Sequence, residues 1–236
     1  MIYKVGLLGA SGRMGFEIAA LLSETDGIEL SDAIVDKSRL RSIEGVETRA
    51  LQDPEREPVH LWIDFSHPSA TIDLLEKIKT PIVIGTTGFN PHQRERILEY
   101  ATRHPVLLSS NMSPGIFLLK KLIEQIPSRF KELYRTTLIE HHHDKKKDAP
   151  SGTALSLVES LKKVGWEENP IHSIRLGGEM GIHTLKLSSS SESITFEHHV
   201  GNRRLFAEGA ILAGMAILKQ SPGLYGMEVI FNDNEH

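Results

Sequence analysis

The first half of the chain alternates short apolar runs with longer amphipathic segments. An apolar run at residues 5–8 precedes a stretch with helical spacing at 16–22, and a second apolar run follows at 28–35. The alternation continues with apolar runs and helical segments at 60–65, 69–79, 82–84, 91–103 and 106–108. Strands that alternate with helices in this way predict βαβ units and a parallel sheet.

Glycines occupy the first predicted strand-to-helix turn in the spacing G-x-x-G-x-x-G. Gly9, Gly12 and Gly15 would permit a tight turn, close approach of the backbone to a pyrophosphate, and close packing of helix on strand. Asp36 follows the second predicted strand, where a carboxylate would accept hydrogen bonds from ribose hydroxyls. Lys37 comes next and could instead accommodate a 2′-phosphate, so NAD and NADP both stay open. An α/β turn that binds no dinucleotide is the alternative.

Each of the next three predicted strands ends in a polar or glycine-rich loop. These loops cover residues 66–68, 85–88 and 109–113. In an open parallel sheet the ligand binds outside the carboxyl ends of the strands. We therefore expect the three loops to line a cofactor crevice, although any one of them could equally be an ordinary turn.

The second half of the chain carries a dense run of titratable side chains. Residues 134–140 have a strand-like pattern, and if that strand runs on through Asp144, its alternation places Glu140, His142 and Asp144 on one face and His141 and His143 on the other. Histidine titrates near neutrality, so His142 and His143 are candidates for proton chemistry in different roles. Glu140, His142 and Asp144 could also hold a metal ion, although the lysines at 145–147 would repel a divalent cation.

The residues after this run predict the start of a helix. Pro150 ends the preceding segment, Ser151 or Thr153 can cap, and residues 154–161 continue as good helix formers. A helix start offers backbone N–H groups and the positive end of the dipole, and Gly152 has no Cβ to keep a ligand away. We expect a carboxylate or phosphate there, with a solvated loop as the alternative.

Composition excludes several classes of protein. The chain has 236 residues, 39% of them hydrophobic, which is enough for the two small domains that we favour over one large domain. A net charge of −4 and a pI near 6.3 leave no broad basic surface for nucleic acid. The absence of cysteine rules out disulfides and thiolate chemistry. The chain begins directly in a strand pattern and has no long apolar stretch, so we expect a cytoplasmic protein without a membrane partner.

Taken together, these motifs resemble the dihydrodipicolinate reductase family, also called 4-hydroxy-tetrahydrodipicolinate reductases. The family signature E-x-H-H-x-x-K-x-D-x-P-S-G-T-A is met from Glu140 to Ala154. Four further segments match in order, namely the glycine loop and the segments at 85–88, 175–184 and 203–210. The resemblance therefore covers the whole chain.

The resemblance implies an α/β fold of two domains. A Rossmann-type parallel-sheet dinucleotide-binding domain would comprise residues 1–112 and 207–236, and an α+β mixed-sheet domain at 113–206 would bind substrate and assemble a homotetramer. The implied cofactor contacts are Gly9, Ala10, Ser11, Gly12, Arg13, Met14, Asp36, Lys37, Gly85, Thr86, Thr87, Ser109, Ser110, Asn111 and Met112. The implied substrate contacts are His143, Gly152 and Thr153, with His142 as proton donor/acceptor and Lys146 as second proton donor.

The reaction implied by the resemblance is the NADH- or NADPH-dependent reduction of 4-hydroxy-tetrahydrodipicolinate to tetrahydrodipicolinate in diaminopimelate and lysine biosynthesis. Hydride would pass from the nicotinamide to a cyclic imine dicarboxylate, with no metal involved. Three other classes stay open on the sequence. These are another two-domain nicotinamide-dependent amino-acid dehydrogenase, an NAD(P)-binding sensor without catalysis, and a metal-binding module built on residues 141–144.

Overall fold

The computed structural model describes residues 1–53 and 58–231, so the last five residues of the predicted 207–236 segment lie outside it. Numbered in chain order, the strands are β1 (Tyr3–Leu8), β2 (Ile28–Ile34), β3 (Ser42–Ile43), β4 (Val46–Glu47), β5 (Leu61–Asp64), β6 (Ile82–Ile84), β7 (Pro105–Leu108), β8 (Arg135–His142), β9 (Ile171–Arg175), β10 (Ile182–Ser188), β11 (Ser193–His199) and β12 (Gly223–Tyr225). The α-helices are α1 (Arg13–Glu24), α2 (Pro68–Leu75), α3 (Pro91–Ala101), α4 (Pro114–Glu124), α5 (Gly152–Lys163) and α6 (Arg204–Ile217). Short 3-10 helices cover Lys37–Arg39, Ser128–Glu132 and Met227–Phe231.

The chain divides into two compact units. The first contains residues 1–112 and the chain from Arg204 onward, and the second contains Ser113–Arg203. In the described part of the chain, no helix is both long and apolar enough to cross a bilayer.

The first unit is built on a six-stranded parallel sheet in the order β12-β7-β6-β5-β1-β2. Its central strands are buried apolar runs, as expected for a parallel sheet covered on both faces. Helix α6 lies close against this sheet, because a Cβ at Gly214 would stand only 2.5 Å from the Leu61 side chain. The parallel sheet predicted from the alternation, and the Rossmann-like fold that the resemblance implies for this unit, are confirmed.

Strand order reverses in this sheet between β1 and β5. From β1 the chain passes to β2 on one side, and it later enters β5 on the other. Ligands of open α/β sheets bind at such a switch point, outside the carboxyl ends of the strands. The loops that follow Leu8 and Asp64 occupy this position.

The second unit is a mixed four-stranded sheet in the order β11-β10-β8-β9, with β8 parallel to β9 and antiparallel to β10. Its core joins Leu138 and Leu185 of the sheet to Leu119 of α4 and to Leu157 and Leu161 of α5. Along β8 the buried positions alternate strictly, so Glu140 and His142 share the buried face with Leu138.

Strand β8 ends at His142 and does not run on to Asp144, as the longer predicted strand would have done. His143 donates from its backbone N–H to the carbonyl of Glu179 at 2.8 Å, and Asp144 turns toward the carbonyl of Gly177. Both partners lie in the loop after β9, which draws the chain out of the strand at His142. The expectation that Asp144 shares a face with Glu140 and His142 is therefore wrong.

Candidate active site

The glycine loop after β1 has the geometry of a phosphate cradle. Gly9 has a φ of +84°, and a Cβ there would lie 2.4 Å from the carbonyl oxygen of Phe65. A Cβ at Gly15 would lie 2.4 Å from the carbonyl oxygen of Gly9. The N-cap of α1 is Gly12, and among the described residues no side chain caps this helix. Backbone N–H groups at the N-terminus of α1 are therefore left without a side-chain cap, and such a helix start can bind an anion.

Two adjoining clefts surround this loop. The larger, of about 790 Å³, includes the predicted contacts Gly9, Ser11, Gly12, Asp36 and Lys37 in its lining. The smaller, of about 310 Å³, is lined by the predicted contacts Gly12, Arg13, Met14, Gly85, Thr86 and Thr87. Both clefts are also lined by Phe65, Ser66 and His67, as expected for the loop at 66–68, although these residues were not named as individual cofactor contacts. Clefts of this size accommodate a cofactor.

Asp36 is charged and exposed at the mouth of the larger cleft. Its Oδ1 accepts hydrogen bonds from the Ser38 hydroxyl at 2.6 Å and the Ser38 backbone N–H at 2.9 Å. These hydrogen bonds, helped by the charges of Arg39 and His67, hold the pKa of Asp36 below its ordinary value. A carboxylate is therefore present where a ribose would bind, with the cationic side chains of Lys37 and Arg39 beside it.

Asp64 ties together two loops that line the clefts. Its buried carboxylate accepts from the Ser66 hydroxyl at 2.5 Å and the Thr71 hydroxyl at 2.6 Å, while the backbone N–H of Ser66 also donates to Thr86 Oγ1. Burial raises the pKa of Asp64 in spite of the hydrogen bonds from Ser66, Thr71 and Thr86. Asp64 was not predicted as a site residue, but it could have been noticed in the sequence as a carboxylate at the end of an otherwise apolar strand.

Five predicted cofactor contacts stand apart from the two clefts. Ala10, within the glycine loop, is fully buried. Ser109, Ser110, Asn111 and Met112 follow β7 at the carboxyl edge of the sheet but line neither cleft. The Met112 side chain is buried, so a cofactor in either cleft would not meet it.

In the second unit, strand register assembles a buried polar cluster. Glu140 pairs with His183 across β8 and β10, and His142 pairs with Arg175 across β8 and β9. Glu140 is 0% exposed, is in close contact with His142 Nδ1 and forms an ion pair with Arg175 Nη2 at 2.6 Å. The backbone N–H of Ser151, at the start of α5, also donates to Glu140 Oε1 at 3.3 Å. Arg175 and His183 were not assigned a role from the sequence, because only the pairing of distant strands brings them here.

Charge in this cluster is set by burial and by the neighbouring cations. Burial opposes ionisation of Glu140, but hydrogen bonds from Arg175 and Ser173 and the nearby positive charges outweigh it and hold the pKa of Glu140 below its ordinary value. Burial lowers the pKa of His142 even though Glu140 acts to raise it, and Lys146 and Arg175 lower it further. The pair is therefore an ionised carboxylate facing an imidazole that is mostly neutral at pH 7.

The predicted anion contacts lie around the start of α5. Ser151 is the N-cap and its hydroxyl accepts from the backbone N–H of Ala154, which confirms one of the two caps considered. Gly152 is exposed, and a Cβ there would meet no protein atom within 4 Å. Lys146 Nζ forms an ion pair with Asp148 Oδ1 at 2.9 Å, and its backbone N–H donates to the carbonyl of His143. The predicted anion contacts His143, Gly152 and Thr153 are thus close in sequence, and a turn that contains Lys146 joins the end of β8 to the start of α5.

The three candidate metal ligands Glu140, His142 and Asp144 do not come together, because Asp144 lies beyond the end of β8. Glu140, His142 and His183 instead bring one ligand atom each within 4.8 Å of one another. Arg175 already binds Glu140, and the cations of Arg175 and Lys146 would oppose a divalent ion. The cluster is better suited to moving a proton beside an anion than to holding a metal.

Comparisons with known proteins cover almost the whole chain. A family model described as "Dihydrodipicolinate reductase, N-terminus" matches residues 3–112, and one described as "Dihydrodipicolinate reductase, C-terminus" matches residues 115–231. A 4-hydroxy-tetrahydrodipicolinate reductase of Bdellovibrio bacteriovorus is 37% identical, covering 98% of this chain and 98% of that protein. The enzyme of the same name from Alkaliphilus oremlandii is also 37% identical, covering 96% and 97%.

A solved structure has the same fold. Dipicolinate-bound dihydrodipicolinate reductase from Paenisporosarcina sp. TG-14 superimposes with a TM-score of 0.75 at 22% identity, covering 97% of this chain and 99% of that chain. At this identity the likeness establishes the architecture of the chain and no more.

Proposed function

The chain belongs to the dihydrodipicolinate reductase family of NAD(P)H-dependent oxidoreductases, and from that premise we propose that it reduces 4-hydroxy-tetrahydrodipicolinate to tetrahydrodipicolinate in diaminopimelate and lysine biosynthesis. The observation that carries the proposal is the buried Glu140–His142 pair beside Lys146 and the start of α5. A proton-transfer group next to an anion site suits a reaction that protonates a cyclic dicarboxylate.

The substrate carboxylates are assigned to the start of α5 and the turn before it. Gly152 and Thr153 would offer backbone N–H groups at the positive end of the helix dipole, and His143 would add a side-chain donor. Open space above Gly152 supports this assignment, because the packing of the protein itself does not require glycine there. Lys146 would contribute a positive charge and a second proton.

His142 is assigned the proton transfer to and from the substrate. Its imidazole is held by a carboxylate that cannot reach solvent, and its neighbourhood keeps it mostly neutral at pH 7. A general acid or base positioned in this way typically contributes about 10²- to 10⁴-fold in rate.

The cofactor is assigned to the clefts of the first unit. When bound, the nicotinamide supplies the hydride. Gly9 and Gly12 would accept the pyrophosphate, Asp36 the adenosine ribose, and Gly85 to Thr87 the nicotinamide end. The absence of a Cβ at Gly9 and Gly15, where one would collide with backbone, fits this cradle.

The proposal is tested by following NADPH and NADH oxidation with the purified full-length chain and freshly generated 4-hydroxy-tetrahydrodipicolinate. We expect oxidation that depends on the substrate and stops when it is consumed. A His142→Gln variant should bind cofactor normally and lose about 10²-fold or more in turnover. Cofactor binding without turnover in the wild-type protein would instead identify a sensor, and turnover of an amino acid would identify a dehydrogenase.

We further propose that the protein acts in the cytoplasm as a homotetramer formed through the second unit. Support comes from the family resemblance and from apolar side chains exposed on the mixed-sheet unit, among them Ile174, Leu176 and Ile194. Sedimentation should give four times the chain mass of 26.3 kDa, and a monomer would contradict the proposal.

A further inference from the structure

Glu140 is held in one orientation by donors on one of its two oxygens. Arg175 Nη2 donates to Oε1 at 2.6 Å, and the backbone N–H of Ser151 donates to the same oxygen. Arg175 is itself fixed, because Nη2 also donates to the carbonyl of Asp148 at 2.6 Å. Strand β9 and the turn at residues 148–151 therefore together determine how this carboxylate is oriented.

This orientation presents the second oxygen to the catalytic candidate. Glu140 Oε2 and His142 Nδ1 are in close contact, and within the described residues neither atom has a hydrogen bond to another group. A carboxylate can only accept, so Nδ1 must carry a proton. In the neutral imidazole, Nε2 then keeps its lone pair, and it is Nε2 that lies toward Gly181, where a Cβ would stand 3.1 Å away.

We propose that Glu140 is a positioning residue that fixes His142 in the Nδ1–H form, so that Nε2 alone exchanges a proton with the substrate. The proposal rests on the proposed function of the site. In the donating direction the Nε2–H bond of the imidazolium breaks and its proton passes to the substrate, which leaves neutral His142 with its proton on Nδ1. In the accepting direction the same nitrogen takes a proton back.

The surroundings explain why a carboxylate is needed at this position. In the described part of the chain, the other charged or titratable groups that face His142 are Lys146, Arg175 and His183. The cations of Lys146 and Arg175 oppose a positive charge on the ring, and His183, which burial keeps neutral, supplies no negative charge to stabilise it. Glu140 supplies the negative charge that lets the imidazolium form during turnover. Arg175 keeps that carboxylate ionised when His142 is neutral.

Glu140→Gln makes a sharp test, because the same donors would orient the amide. Arg175 and Ser151 would hold the amide oxygen in the place of Oε1, which leaves the NH₂ group facing His142 Nδ1. Nδ1 would then have to accept, and the proton would move to Nε2. A single substitution is thus expected to invert the tautomer without removing a side chain.

The first measurement is the ring tautomer of His142 in the full-length protein without ligands, from long-range ¹H–¹⁵N spectra. The chain has 12 histidines, and the signal of His142 is identified by its loss in His142→Gln. We expect Nδ1–H in the wild type and Nε2–H in Glu140→Gln. A neutral wild-type ring protonated on Nε2 would overturn the proposal. Because this result comes from the wild-type protein, it depends neither on the folding of a Glu140 variant nor on enzymatic turnover.

The second measurement is steady-state kinetics across pH. Glu140→Gln should lower kcat about 10²-fold or more, leave the KM for substrate within about threefold, and move the pH limb that belongs to His142 to lower pH. The matched control is Glu124→Gln, which removes a carboxylate that binds Lys163 and Ser160 in the same unit and does not touch His142. Wild-type kcat in Glu140→Gln with an inverted tautomer would overturn the proposal. No turnover by the wild type would refute the proposed function instead, while the tautomer would still decide the part played by Glu140.

Discussion

His183 packs edge-on against His142, with ring centroids 5.2 Å apart and ring planes 76° apart. Its Nε2 lies 3.3 Å from the hydroxyl of Ser151, the N-cap of α5, and the residue is only 3% exposed. Burial, together with the charges of His142 and His198, lowers the pKa of His183 to about 4. The cluster therefore contains a histidine that stays neutral well below physiological pH.

This neutral histidine should make the stability of the protein depend on pH. The pKa of His183 in the folded protein lies below the ordinary 6.5, so folding is favoured while this histidine is neutral in both the folded and the unfolded states. That contribution to the free energy of unfolding is fully present above about pH 6.5 and is lost as pH falls toward 4. The loss amounts to about 3 kcal/mol at most. Urea unfolding at pH 7 and pH 4.5 should therefore show a smaller decline in His183→Gln than in the wild type. The same substitution at exposed His92 should leave the decline unchanged, and parallel declines in all three proteins would contradict the prediction.

Much of the fold follows from local sequence patterns. The parallel sheet was predictable because each strand in the first unit is a short buried run followed by a helical segment. The glycine loop and the cap at Ser151 were predictable because each depends on a few adjacent residues and the geometry that they alone allow. Local patterns were therefore sufficient to predict the glycine turn before α1 and the start of α5.

The rest of the site depends on contacts between distant residues. Strand β8 ends at His142 because His143 bonds to Glu179, more than thirty positions away. Glu140 meets His183 and Arg175 only through strand register, which nothing near Glu140 encodes. The return of α6 and β12 to the first unit is likewise a tertiary feature that periodicity does not contain.

Gly181 should be essential to the placement of the His142 ring. Its φ is +156°, and a Cβ would stand 3.1 Å from His142 Nε2 and 3.6 Å from His183 Cε1. Gly181→Ala is expected to lower kcat about tenfold or more and to cost about 1–3 kcal/mol in the free energy of unfolding. Kinetics and urea unfolding of the same samples measure both effects. Gly178→Ala, three residues earlier and with open space at its Cβ, is the control, and equal behaviour of the two variants would refute the idea.

Gly152 should matter for substrate and not for stability. A Cβ at this first position of α5 would meet no protein atom, and alanine is a better helix former than glycine. Gly152→Ala is therefore expected to keep or slightly raise the melting temperature while raising the KM for the dicarboxylate about tenfold, equivalent to losing one hydrogen bond to a charged group. Gly201→Ala, also open at its Cβ, should change neither quantity. An unchanged KM in Gly152→Ala would remove this residue from the proposed carboxylate site.

Lys146 should differ in function from its neighbours in the lysine run. Its ammonium is partly buried and bound to Asp148 at 2.9 Å, whereas Lys147 is exposed. Lys146→Ala should both lower kcat and raise the KM for substrate, each by about tenfold or more, because it removes a proton donor and a charge that faces an anion. Lys147→Ala is the matched control and should behave as the wild type. If both variants lose activity equally, the effect is one of general positive charge and not of Lys146 itself.

Asp36 should set the balance between the two nicotinamide cofactors. Its ionised carboxylate is anchored by Ser38, so it can accept hydrogen bonds from the ribose hydroxyls of NADH, but it would repel the 2′-phosphate of NADPH, which Lys37 and Arg39 attract. Asp36→Asn should lower kcat/KM for NADH about tenfold or more and leave kcat/KM for NADPH unchanged or higher, because a hydrogen bond to a charged group contributes about 1.5–3 kcal/mol. Cofactor dissociation constants measured without substrate should shift in the same directions. Asp26→Asn, an exposed aspartate that lines neither cleft, is the control, and an equal loss with both cofactors in Asp36→Asn would show that Asp36 does not discriminate between them.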